Sequence, residues 1–133
     1  MKAFEKVRNY LLDLDYNIIL EDKEETLFIV EKEEDGISNL IVDCEEPILI
    51  IEQHLFNLEK ADPEIMMALL QKNMDIIHGA FAIDETGERV VFRDTLQLEN
   101  LDRNEIEGTL NSLSLLLSEY SEKIIQFASV EIK

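Results

Sequence analysis

Residues that form disulfides, metal centres and phosphate-binding loops are scarce in this chain of 133 residues. It contains one cysteine, two histidines and four scattered glycines. The lone Cys44 cannot form an intramolecular disulfide, and its acidic surroundings disfavour the reactive thiolate. Neither His54 nor His78 has a second histidine or cysteine at metal-ligand spacing. The sequence therefore predicts no catalytic residue, no metal and no cofactor.

Long apolar runs and basic clusters are also missing. No apolar stretch approaches the roughly 18 residues of a membrane-spanning helix, and the first residues are not a basic segment followed by an apolar core. Acidic residues outnumber basic ones by 30 to 12, and the resulting net charge of -18 repels nucleic acid and anionic membranes. We expect a cytoplasmic protein without a nucleic-acid or membrane partner.

The clearest local structure is a β-hairpin in the middle of the chain. Residues 77–83 alternate large apolar residues with small or polar ones, as a strand with two unlike faces does. Residues 84–87, Asp-Glu-Thr-Gly, supply a turn, because Asp suits its first position and Gly can take a positive φ at its fourth. Residues 88–93 must then fold back antiparallel.

An amphipathic helix and four short apolar runs precede this hairpin. Residues 2–14 place apolar side chains on one stripe, at spacings of three and four. The runs at 18–20, 27–30, 40–42 and 48–51 are separated by acidic turns, which predicts a β-meander. Because consecutive apolar residues point to opposite faces of a sheet, both faces should be partly apolar. If helices cover one face, the other needs a further helix, a second subunit or a ligand.

Two further helices are predicted, one on each side of the hairpin. Asp62 is a suitable N-cap, and Pro63 a suitable first residue, for a helix that runs to about Met74. Asp102 and Glu105 form a capping box for the last helix. The apolar stripe of that helix repeats at alternating intervals of four and three residues: Ile106, Leu110, Leu113, Leu117, Tyr120, Ile124 and Phe127. So wide an apolar face favours packing against a sheet.

Together these elements predict one α+β domain over residues 1–133, with an antiparallel sheet packed with helices. The element order is helix, β-meander, helix, β-hairpin and long C-terminal helix. Its most specific segments are Leu-Leu-Gln-Lys-Asn-Met at 69–74, Gly-Ala-Phe-Ala-Ile-Asp at 79–84, Arg-Val-Val-Phe at 89–92 and Leu-Gln-Leu at 96–98. In this order they resemble the type III secretion chaperones of the Tir-chaperone or CesT-like family and the related YbjN-like proteins.

The resemblance implies a homodimer that binds a protein partner without catalysis. Family members usually dimerise through the middle helix and the strand after it, and the secretion chaperones bind an extended effector segment along apolar patches on the N-terminal part of the sheet. Carried over by position, the dimer-interface candidates are Met66, Met67, Leu70, Ile77, Ala80 and Ala82. The partner-binding candidates are Leu27, Ile29, Leu40, Val42, Leu49 and Ile51. The four apolar runs differ from the three strands that the secretion chaperones usually show in this region.

Three functions remain open from the sequence. The leading hypothesis is a protein-binding module that buries an extended apolar segment of a partner, such as a secreted or unstable client, with an acidic shell that keeps the binding surface soluble. The acidity also suits a basic partner, although plain solubility explains it equally well. The alternative function is a YbjN-like regulatory or adaptor protein without an unfolded client. The third is a metal-dependent enzyme that uses the acidic turns, and a deep cleft with converging carboxylates would favour it.

Overall fold

The computed structural model describes residues 2–58 and 62–132, with side chains up to residue 119. Its helices are α1 (Lys2–Asp13), α2 (Pro63–Lys72) and α3 (Arg103–Ile132). Its strands are β1 (Asn17–Asp22), β2 (Leu27–Lys32), β3 (Ile37–Glu45), β4 (Ile48–Asn57), β5 (Ala80–Ile83) and β6 (Arg89–Gln97). Single-turn 3-10 helices occupy Glu33–Asp35 and Asn73–Asp75. The predicted order of elements is confirmed.

The strands form one antiparallel sheet in the spatial order β1-β2-β3-β4-β6-β5. Strands β1 to β4 each pair with the next strand along the chain, which confirms the predicted meander. Strand β6 pairs with β4 on one side and with β5 on the other, so the hairpin extends the same sheet. The fold therefore belongs to the predicted α+β class.

All three helices contribute buried side chains to one core on a single face of the sheet. Phe4 of α1 stacks on Phe28 of β2, with the ring centroids 4.4 Å apart. The Thr109 hydroxyl of α3 donates a hydrogen bond of 2.6 Å to the Asp94 carboxylate of β6. Other members of this core from α2 and the strands are Ile65, Leu69, Val30, Leu40, Val42, Leu49, Ile51 and Phe92. The helices thus leave the opposite face of the sheet outside the core.

The start of α2 follows the cap that the sequence predicts, and the start of α3 shows the Glu105 half of the predicted capping box. The Asp62 carboxylate accepts hydrogen bonds from the backbone N–H groups of Glu64 and Ile65 at 2.9 and 3.4 Å, and a proline occupies the first helical position. The Glu105 carboxylate accepts from the backbone N–H of Asp102 over 3.3 Å. These bonds satisfy N–H groups that have no partner within the helix itself.

The apolar stripe of α3 is buried in its first half. Four predicted members lie in the core or pack partly against it: Ile106, Leu110, Leu113 and Leu117. The other predicted members lie outside the described side chains: Tyr120, Ile124 and Phe127. In the described ranges 2–58 and 62–132, no helix is both long and apolar enough to cross a membrane.

Strand β5 lacks the first three residues of the predicted strand. Gly79 has a φ of 80°, which ends the extended backbone there. His78 is held beside α3, because its backbone N–H donates to the Ser112 hydroxyl over 3.3 Å and its carbonyl accepts from the same hydroxyl over 2.8 Å. The turn at residues 84–87 forms as predicted, with Gly87 at a φ of 76°. The prediction that the strand begins at residue 77 is wrong.

Gly79 cannot carry a side chain at its position between α2 and β5. A Cβ there would overlap the ring of the buried Phe92 and lie 3.2 Å from the Arg93 carbonyl oxygen. We expect Gly79→Ala to lower the free energy of unfolding by about 2–4 kcal/mol, from the positive φ and the clash together. Gly87→Ala is the matched control, because Gly87 has a similar φ but no atom in the way, and it should cost only about 1–2 kcal/mol. Urea unfolding measures both losses, and equal values would contradict the close contact at Gly79.

Candidate functional site

The sheet face opposite the helices carries apolar side chains that do not belong to the core. Burial alternates along β2, where Leu27 and Ile29 are half-buried while Phe28 and Val30 are fully buried. The same alternation occurs in β3 and β4. We call this surface the open face. Its apolar members on β1 to β4 are Leu20, Leu27, Ile29, Ile41, Ile48 and Ile50, and Val91 of β6 lies on the same side of the sheet but is buried.

Strand register brings these residues side by side. Ile29 of β2 lies opposite Ile41 of β3. Leu27 of β2 lies opposite Asp43 of β3, which in turn lies opposite Ile50 of β4. Directly opposite residues have Cβ atoms about 4.5–5.5 Å apart, so their side chains touch. The open face is therefore an apolar surface across β1 to β4 with Asp43 in its middle, and three further acids, Asp22, Glu45 and Glu52, lie opposite its members Leu27, Ile48 and Ile41.

The six partner-binding candidates from the sequence do not lie on one surface. Leu27 and Ile29 lie on the open face. The other four are fully buried in the core under the helices: Leu40, Val42, Leu49 and Ile51. Each apolar run has hydrophobic residues at consecutive positions, so the run alone does not say which alternate set faces the helices. The cross-strand pairing of Ile29 with Ile41 and of Asp43 with Ile50 decides it, and it places on the open face Ile41, Ile48 and Ile50, which the sequence prediction does not include.

Asp43 gives the open face a negative charge at its centre. Its Oδ1 atom is buried and has no hydrogen-bond partner. Burial raises the pKa of Asp43, and the charges of Glu45 and Glu25 and hydrogen bonding with Glu45 raise it further. Arg93, elsewhere on the face, is already engaged by Glu52 at 2.9 Å. The open face therefore combines apolar side chains with a carboxylate whose neighbours disfavour its charge.

A second apolar surface extends from α2 towards the start of β5. Met67, Leu70, Met74 and Ile77 are exposed by 60%, 69%, 87% and 80%. Spacings of three and four residues place the first three on one side of α2 and its 3-10 extension. We call these four residues the α2 patch. Clustered exposed apolar side chains of this kind mark interaction sites.

The dimer-interface candidates from the sequence are divided between this patch and its surroundings. Three of them lie in the α2 patch: Met67, Leu70 and Ile77. Met66 instead packs partly against the core, while Ala80 and Ala82 are half-buried on β5, which is an edge of the sheet. The Asn73 side chain accepts a hydrogen bond from the Phe81 backbone N–H at 2.7 Å and donates to the Phe81 carbonyl at 3.3 Å. Helix α2 and the edge strand are thereby held together.

A cleft of about 290 Å³ adjoins the α2 patch, between residues 75–78 and α3. Its apolar lining includes Ile76, Ile77 and Leu116. At Gly108 the helix has no side chain, and the His78 ring lies 3.2 Å from the place where a Cβ would be. The shape and lining suit an apolar side chain better than a polar substrate.

Side chains with catalytic potential are dispersed over the described part of the chain. The exposed His54 has its Nε2 atom 2.7 Å from Asn57 Oδ1, which agrees with its predicted role as a hydrogen-bonded surface residue. Burial, and then the charges of two neighbouring acids, raise the pKa of the buried Cys44 to about 12, so its thiol stays protonated. Within residues 2–58 and 62–119, no three His, Cys, Asp or Glu side chains are placed to hold a metal ion.

Comparison with protein families now connects this fold to known proteins. The family model CesT_Tir_1 matches residues 1–130. The chain belongs to the CesT_Tir_1 family. The family resemblance inferred from residues 69–74, 79–84 and 89–92 is therefore confirmed. A sequence comparison with curated proteins finds no match.

Two solved structures share this fold of the CesT_Tir_1 family. One is the crystal structure of YbjN from E. coli, described as a candidate transcription regulator, with a TM-score of 0.67 at 11% identity over 90% of this chain and 92% of that chain. The other is a chain of the HopA1-SchA chaperone-effector complex, with a TM-score of 0.65 at 12% identity over 90% of this chain and 94% of that chain. The TM-scores show a common fold, and at identities this low the similarity shows the fold alone.

Proposed function

We propose that this chain is a non-catalytic chaperone that binds a protein partner by burying an extended apolar segment of that partner on the open face. The observation that carries the proposal is the open face itself, where Ile29, Ile41 and Ile50 remain outside the core although all three helices have packed. Membership of the CesT_Tir_1 family, and a fold shared with a chain of a chaperone-effector complex, support the same function.

An extended segment fits the open face because side chains point to the same side at every second residue, both in the segment and in the strands. Alternate side chains of such a segment point to the same side and can pack among the alternate side chains of β2, β3 and β4. Burial of about 300 Å² of apolar surface at ~25 cal/mol per Å² would supply about 7 kcal/mol of gross binding energy, before the cost of association. The net charge of -18 keeps such a surface soluble while it is unoccupied.

We also propose that two copies of the chain associate through the α2 patch. Self-association of one patch around a two-fold axis buries Met67, Leu70, Met74 and Ile77 of both copies at once. Methionine packs adaptably against unlike neighbours, and the small side chains at residues 80 and 82 allow close approach at the sheet edge. The α2 patch and the open face share no residue, so the dimer keeps two open faces for partners.

This function uses no metal, cofactor, nucleic acid or membrane. The reactive groups it leaves aside are the protonated thiol of Cys44 and the two surface histidines, of which His54 is hydrogen-bonded to Asn57. The cytoplasm is the proposed compartment, where an acidic, thiol-containing chaperone would meet its partner before that partner folds.

Capture of the partner from the native cell tests the proposal. Tagged wild-type protein should co-purify with one stoichiometric partner. Ile29→Asp should keep its fold and capture at least about tenfold less partner, because a carboxylate would be buried at the centre of the contact without a counter-charge. Leu12→Asp is the matched control, because Leu12 is an apolar residue of α1, 44% exposed, that lies outside both surfaces. It should capture the partner normally.

If Ile29→Asp captures the partner as well as the wild type does, the open face is not the binding surface. A folded partner bound equally well by this variant would instead support an adaptor function of YbjN type.

Limited proteolysis of the complex separates the two functions further. An extended client segment is cut rapidly when free and slowly when bound, whereas a folded adaptor partner resists cleavage in both states.

A further inference from the structure

Asp43 is placed where a purely apolar binding surface would have another hydrophobic residue. It lies between Leu27 and Ile50 across the strands and two residues after Ile41 along β3. Its Oδ1 atom is buried without a hydrogen-bond partner. A buried polar atom without a partner lowers stability, and the hydrogen bonding of the Asp43 side chain with Glu45 pairs it with a second acid rather than with a base.

The charges that act on Asp43 from the described part of the chain are of its own sign. Glu45 follows it two residues later on the same face of β3, and Glu25 acts on it from the β1–β2 turn. Both raise the pKa of Asp43, as burial does. A positive charge that arrived with a partner would reverse this balance, since it would offset both acids and favour the charged form of Asp43.

We propose that the extended segment bound on the open face carries a lysine or arginine that pairs with Asp43, two residues away from an apolar residue that packs on Ile41. This inference rests on the proposed function and specifies the chemistry of the partner.

The spacing follows from strand geometry. Ile41, Asp43 and Glu45 are alternate residues of β3, about 6.5–7 Å apart, and alternate residues of an extended partner have the same spacing. A segment that runs along β3 therefore matches an apolar residue to Ile41 and a base to Asp43. Leu27 and Ile50 stand on either side, where they can contact the methylene stem of the basic side chain. A second base two residues further would meet Glu45.

Selection from a phage-displayed library of random twelve-residue peptides tests this inference. Wild-type protein should select peptides with a lysine or arginine two positions from a large apolar residue. Asp43→Asn should still select apolar alternation but lose the basic preference. A selected peptide should bind Asp43→Asn at least about tenfold more weakly than wild type, and replacement of its lysine by norleucine should cause a similar loss. The two changes together should cost little more than either alone, because they remove the same ion pair.

Two outcomes would overturn the inference, and they can be told apart. If wild type selects apolar peptides without a basic preference, or if a selected basic peptide binds Asp43→Asn normally, the pairing with Asp43 is wrong while the proposed function stands. If every peptide selected by the wild type also binds Ile29→Asp, the open face binds no extended segment. Both the inference and the proposed function then fail. Asp43→Asn removes a charge that Glu45 and Glu25 disfavour, so its thermal unfolding midpoint should equal or exceed that of the wild type.

Discussion

Leu49→Asp is expected to leave no folded protein, whereas Ile29→Asp is expected to unfold within about 1 kcal/mol of the wild type. Leu49 is completely buried in the core on the helix-covered face of the sheet. Truncation of such a residue costs about 2–5 kcal/mol, and an unpaired buried carboxylate costs several kcal/mol more. This sum reaches the whole stability of an ordinary domain, about 5–15 kcal/mol. Ile29 lies on the open face, where its replacement remains in contact with water.

Far-UV circular dichroism and urea unfolding measure this difference. Leu49→Ala provides a graded control, because it removes the packing without adding a charge and should cost about 2–5 kcal/mol. A cooperative transition for Leu49→Asp close to that of the wild type would contradict the assignment of the two sheet faces. A loss of unfolding free energy for Ile29→Asp as large as that for Leu49→Ala would also contradict it.

Leu70→Asp is expected to convert the proposed dimer into a folded monomer. Leu70 is 69% exposed in the single chain and lies in the middle of the α2 patch. In an isologous contact the substitution places two carboxylates at the interface, where one central residue commonly contributes 2 kcal/mol or more. Two such losses raise the dissociation constant by about 1,000-fold or more, since each 1.4 kcal/mol is tenfold.

Light scattering across a concentration series measures this dissociation. Leu12→Asp again serves as the control, because it adds the same charge at an exposed apolar position outside the patch. A wild-type protein that stays monomeric at high micromolar concentration would contradict the dimer proposal. A Leu70→Asp variant that remains dimeric would place the interface on another surface.

Local sequence signals predicted most of the fold. The N-cap at Asp62 and the Glu105 side chain mark the starts of two helices, and the turn at residues 84–87 places the hairpin. Each of these features depends on residues within a few positions of one another, so the sequence contains the whole signal. Strand β5 was placed too early because His78 is held by Ser112, a contact between residues far apart in the sequence.

The candidate binding surface was harder to predict for a physical reason. In an antiparallel sheet, the face of each residue depends on strand register, and a shift by one residue exchanges the two faces. Runs such as residues 27–30 and 48–51 are apolar at every position, so they satisfy either register equally well. Four predicted partner-binding residues consequently lie in the core, while the pairing of β3 with β2 and β4 assigns Ile41, Ile48 and Ile50 to the open face.

Methyl NMR of isoleucine residues, with and without the co-purified partner, tests the central claim most directly. A soluble paramagnetic agent should broaden the methyl signals of Ile29, Ile41 and Ile50 in the free protein and spare that of the buried Ile51. When the partner is bound, the three open-face signals should become protected while Ile51 stays unchanged. Partner binding that leaves Ile29, Ile41 and Ile50 as accessible as before would contradict the account, because the open face would then not be where the partner binds.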